Sequence, residues 1–113
     1  MPLALELNCL VLGDDPSHIF AIDIDGTKKV SALKESIKDK KKHTFHHVDA
    51  DALDVFKVNL PVGDDLDAEL KRFRPEDETD RRLSSAVKRL KGVFGDPVDE
   101  HLHVIVLPPA AGE

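Results

Sequence analysis

"HLHVIVL", residues 101–107, is the stretch on which the fold turns. Val104, Ile105 and Val106 run together without a polar break, and all three are β-branched. A strand with one face in water alternates apolar and polar residues; a strand covered on both faces need not. This run therefore predicts an interior strand, and the rest of the chain must supply neighbours on both sides of it.

Working outward, residues 3–12 place Leu3, Leu5, Leu7, Cys9 and Val11 on one face, against Ala4, Glu6, Asn8, Leu10 and Leu12 on the other. That alternation predicts a half-buried first strand. "GDDPS" (13–17) is turn chemistry, and "HIFAIDID" (18–25) resumes a strand, so the two read as a hairpin. In "VSALKESIKDKKK" (30–42) the period changes: Val30, Leu33 and Ile37 recur at helical spacing and lysines take the other face. "LDVFKVNL" (53–60) alternates again, with Leu53, Val55 and Lys57 on one face and Phe56, Val58 and Leu60 on the other. Pro61 ends it, because proline cannot donate to a ladder.

"DDLDAELKRF" (64–73) predicts a short helix carrying Leu66, Leu70 and Phe73, and residues 74–80 read as a charged loop. "DRRLSSAVKRLKGVF" (80–94) predicts a longer helix capped by Asp80, with Leu83, Ala86, Val87, Leu90 and Phe94 on one stripe. Residues 95–97 break the chain before the last strand, and 110–113 read as a disordered tail after a single domain, 1–109. The expected fold is α+β: a ubiquitin-like β-grasp, with a mixed sheet of about four strands packed on one main helix. One or two helices precede the last strand, which lies beside the first in the middle of the sheet.

The chain has 113 residues, 41% apolar and 34% charged, with a net charge of −6. This length buries roughly two-thirds of the unfolded surface, enough for one core. The acidic balance argues against direct binding of nucleic acid, since nothing neutralises phosphates across the whole surface. The sign is uneven, though: residues 28–42 hold seven lysines against Glu35 and Asp39. Within that run Lys38, Lys40, Lys41 and Lys42 form a candidate basic patch, read either as a polyanion or nuclear-import signal or as a solvated helix end that complements the dipole. Cys9 is the single cysteine and sits in an apolar run, as a small buried hydrophobe does. No segment reaches the length of a membrane span, and the N-terminus lacks the basic region of a secretory signal.

Three stretches invite chemistry. "FAIDIDGT" (20–27) resembles the first motif of haloacid-dehalogenase phosphatases, with Asp23 as nucleophile and Asp25 as general acid, and "GDDLD" (63–67) mimics an acidic metal-holding motif. That reaction needs a parallel sheet built from several crossover units, and only one helix and one strand lie between the two motifs. A strand end followed by an Asp-Gly turn is the simpler account, and no catalytic residue is assigned. "HTFHHVDAD" (43–51) gathers His43, His46, His47 and Asp49, candidate ligands for Zn²⁺ or Ni²⁺ that His101 and His103 would complete if close in space. The expected state of this loop is a solvated connector with no metal, and no cofactor is expected elsewhere.

"LNCLVLGDD", "VSALKESIKDKKK", "HVDADALDVFKVNLP" and "HLHVIVLPP", in that order over residues 5–109, resemble the N-terminal domain of the Crinkler effector family, its fungal branch more closely than its oomycete one. The resemblance implies a ubiquitin-like N-terminal domain on a modular effector, secreted and active in host cells, with a downstream domain that acts in the host nucleus. It implies protein partners or self-association, and no small-molecule substrate. Oomycete members carry an L-F-L-A-K delivery motif, and the equivalent positions here are Val55, Phe56, Lys57, Val58 and Asn59, of which Phe56 alone keeps the motif's letter. A cytoplasmic ubiquitin-like adaptor is the alternative expectation, and a metal-dependent phosphatase or nuclease a third.

Overall fold

The computed structural model describes residues 4–12, 14–42, 48–49, 52–74, 77, 82–83, 87–95 and 100–107. Four strands form one mixed sheet: β1 (Ala4–Val11), β2 (Phe20–Asp25), β3 (Asp54–Pro61) and β4 (His101–Leu107). Their spatial order is β2-β1-β4-β3. β1 and β2 form the antiparallel hairpin, with Leu7 opposite Ile22. β4 inserts parallel to β1, with Leu10 opposite Ile105, and antiparallel to β3, with Phe56 opposite Ile105. The uninterrupted apolar run therefore holds the interior position, where both faces are covered and no alternation is required.

Each face has its own core. α1 (Val30–Lys40) lays Val30, Leu33 and Ile37 on the first face, against Leu5, Leu7, Cys9, Ile22, Ile24, Val55, Val104 and Val106. Leu33 and Ile37 are wholly buried, each contributing about 1.5–3 kcal/mol by leaving water. The second face carries Leu10, Phe56, Val58, Leu102 and Ile105, closed over by Leu66 and Leu70 of α2 (Leu66–Arg72) and by Phe73. Phe56 and Phe73 meet edge to face, with centroids 5.5 Å apart. The hairpin, the main helix, the central last strand and two short helices before it are compatible with a ubiquitin-like β-grasp.

One element differs from its sequence pattern. Among the described residues of the helix expected over 80–94, Leu90–Phe94 alone is helical (α3). Arg82 instead bridges to Phe56, and the Leu83 N–H donates to the Val55 carbonyl at 2.9 Å, so these two residues lie against the outer edge of β3. Arg89 is extended, bridging to Lys29. Val87, expected on the apolar stripe, is 69% exposed, whereas Leu90 and Phe94 are buried as expected. Open edge groups on β3 and ahead of α1 need partners, and that long-range demand overrides local helix propensity. Asp80, Ala86, Pro108, Pro109 and the tail 110–113 lie outside the described residues.

Candidate interaction surfaces

The stretch aligned with the delivery motif is the central part of β3. Val55 packs into the first core, and Phe56 and Val58 into the second, while Lys57 and Asn59 are exposed. Period two forces this division, since successive side chains leave the strand on opposite faces. The strand's register slips between Lys57 and Leu60, a local irregularity at the same place. Asp54 closes the upstream end through a 2.8 Å contact with the Arg82 guanidinium. A folded β3 thus offers a reader the side chains of Lys57 and Asn59, not those of Val55, Phe56 or Val58.

The lysines sit at the C-terminal end of α1, as dipole complementarity favours. Lys38 and Lys41 are partly buried, and Lys40 and Lys42 are exposed. The Lys41 ammonium lies 5.0 Å from the Phe20 ring centroid, which ties the helix end to the start of β2. An open groove between β2 and α1 is lined by Ile24, Lys28, Ala32, Glu35 and Ser36, and extends to Lys38 and Lys42.

His43, His46 and His47 lie outside the described residues. Among the described residues no three His, Cys, Asp or Glu side chains gather as a metal group. His103 is buried, and its Nδ1 accepts the Asn8 backbone N–H at 2.9 Å. The Asn8 side-chain amide donates to the His101 carbonyl at 2.8 Å. His103 thus serves in the sheet as an acceptor.

Asp23 and Asp25 stand exposed on the outer strand of the hairpin. One Asp25 oxygen accepts both the Thr27 N–H and the Thr27 hydroxyl, each at 2.8 Å. The backbone bond, then the hydroxyl bond, hold the Asp25 carboxyl below the usual carboxylate range. This is the Asp-Gly turn expected for "DIDGT". Burial pushes the Cys9 thiol well above its ordinary range, so it carries no thiolate to act as nucleophile.

A second groove escaped sequence reasoning. Leu10, Leu12, Leu70, Phe73 and Ile105 form its apolar walls, with Asp14, Asp15 and Asp67 at its rim. The signal lay in Leu10 and Leu12, apolar residues on the otherwise polar face of β1, which need a cover such as α2.

The description "Crinkler effector protein N-terminal domain" matches residues 5–107. The chain is 36% identical over 108 residues to Crinkler effector protein 1 of the fungus Rhizophagus irregularis, covering 95% of this chain and 22% of that protein. It is 39% identical over 77 residues to Crinkler effector protein 16 of Phytophthora infestans, covering 67% of this chain and 12% of that protein. The longer alignment is with the fungal relative, and the chain spans under a quarter of the length of either. Among the described residues no helix is long and apolar enough to cross a membrane.

Proposed function

The chain belongs to the Crinkler effector N-terminal domain family, and from that premise we propose that it is a non-enzymatic, ubiquitin-like domain that targets a secreted effector into host cells. The observation that carries this reading is the family match across residues 5–107, on a chain that corresponds to a small share of two longer effector proteins. A domain in that position serves the remainder of its protein through delivery and through contacts with protein partners. It uses no cofactor or small-molecule substrate and makes no direct contact with nucleic acid. The lysines of α1 are the candidate address for the host nucleus.

The fate of the polar side chains supports a binding role over a catalytic one. One Asp25 oxygen is engaged in its turn, His103 Nδ1 holds the Asn8 N–H and the Cys9 thiol lies in the core. Among the described residues the surface features that suit binding are the exposed part of β3, the α1 lysines and the two grooves.

The test is delivery of this domain fused to a reporter, followed from the producing organism into host cells and host nuclei. Reporter in host cells is the expected result. Reporter retained in the producing cytoplasm favours a cytoplasmic adaptor, and phosphatase or nuclease turnover by the purified domain with Mg²⁺ refutes the non-enzymatic reading.

A further inference from the structure

β2 forms one edge of the sheet, and hydrogen bonds elsewhere fix which way its main chain faces. The Leu12 N–H donates to the Val106 carbonyl at 2.8 Å, in a parallel pair that sets Val11 opposite Val106. Leu10 and Leu12 therefore turn their main-chain groups toward β4, and by alternation Leu5, Leu7 and Cys9 turn theirs toward β2. Their register partners there are Ile24, Ile22 and Phe20. Ala21 and Asp23 are left with N–H and C=O groups aimed away from the sheet. Among the described residues no strand pairs with that side of β2.

Two surfaces flank this open edge. On the helix side runs the groove between β2 and α1, with Ile24 and Ala32 as its apolar part and Lys28, Lys38 and Lys42 set against Glu35, Asp39 and Asp49 around it. On the opposite side the exposed residues are Ala21, Asp23 and Asp25, and Glu6 stands directly across from Asp23. The groove side of the edge is therefore partly apolar with three lysines against three carboxylates, while the other side presents the carboxylates of Glu6, Asp23 and Asp25.

We propose that the β2 edge takes up an extended segment of a protein partner as a fifth strand, with alternate residues apolar toward the groove and basic toward Glu6, Asp23 and Asp25. Main-chain pairing with Ala21 and Asp23 supplies the affinity, and the two-sided alternation supplies the choice of segment. A second copy of this chain fits poorly, because edge-to-edge pairing adds the acidic rows of two copies, each of net charge −6, to one surface. This inference deepens the protein-interaction reading and rests on it.

The experiment titrates the ¹⁵N-labelled domain with a short capped peptide alternating valine and lysine. Controls are the valine–glutamate counterpart and the lysine peptide with alternate amides methylated. Saturable amide shifts at Ala21, Asp23, Ala32 and Ser36 are expected. The lysine peptide should bind at least about tenfold tighter than the glutamate peptide, and Asp23→Lys should reverse that preference. Backbone methylation should abolish binding.

Shifts centred on Leu12, Leu70 and Phe73, no saturation by about 1 mM, or a preference unmoved by Asp23→Lys overturn the proposal. So does sedimentation showing that the domain pairs with itself through Ala21. A domain delivered to host cells that ignores the peptide sinks only this inference; one that binds the peptide and stays behind sinks only delivery.

Discussion

The imidazole of His103 in β4 accepts the backbone N–H of Asn8 in β1 at 2.9 Å, so a side chain supplies the acceptor between the two central strands. The regular parallel register covers Cys9–Val11 against Val104–Val106 and stops short of this point. His103→Leu keeps the bulk and removes the acceptor, leaving a partly buried N–H unpaired. Urea unfolding should show a loss of about 1–3 kcal/mol.

The β3 residues separate folding from recognition. Phe56→Ala removes a buried ring that packs on Phe73 and should cost about 3–5 kcal/mol. Lys57→Ala and Asn59→Ala, both exposed, should stay within about 0.5 kcal/mol of the parent. If delivery reads the folded strand, those two variants lower reporter uptake with an unchanged unfolding midpoint. Equal uptake by both would show that β3 acts as a strand and not as an address.

Asp25 ties stability to acid. Its folded carboxyl titrates below its unfolded one, because Thr27 donates to the charged form. The stabilisation is therefore fully present above the unfolded value, about 4, and is lost as the pH falls through the folded value. Asp25→Asn should lower Tm at neutral pH, and the gap between variant and parent should close below about pH 4. A gap that stays constant with pH would contradict this account.

Two glycines near α3 should respond oppositely to alanine. Gly95 has φ +59° and ψ −119°, a backbone that side chains rarely adopt, so Gly95→Ala should destabilise by about 1–3 kcal/mol. Gly92 lies inside the helix with open space around its Cβ direction, so Gly92→Ala should stabilise by up to about 1 kcal/mol. Thermal melts of the two variants check the sign directly.

Cys9 reports on opening of the core. With its thiol buried and its proton held tightly, the native domain should resist alkylation at neutral pH and react promptly in denaturant. Labelling that is fast in the native state would mean that β1 opens on its own.

Local periods, and through them the sheet, are written in the order of the residues. Alternation at Leu5, Leu7 and Cys9 and at Val55, Phe56 and Val58, the helical spacing of Val30, Leu33 and Ile37, and the unbroken run Val104–Val106 each state how many faces are buried. With hairpin chemistry at 13–17, those statements leave little freedom in strand order. Tertiary structure alone decided where the edges are closed. The Val30 N–H donates to the Lys88 carbonyl and the Leu90 N–H to the Lys28 carbonyl, both at 2.9 Å, so two helix starts far apart in sequence cap each other. Leu83 likewise gives its N–H to β3 instead of to a helix, and His103, whose residue type suggested a metal ligand, becomes a sheet acceptor. Main-chain donors and acceptors are the same at every residue but proline, so sequence carries no local mark of which distant carbonyl an N–H will find. Side-chain period is written residue by residue; edge pairing is settled only when the sheet has formed and the leftover groups must be satisfied.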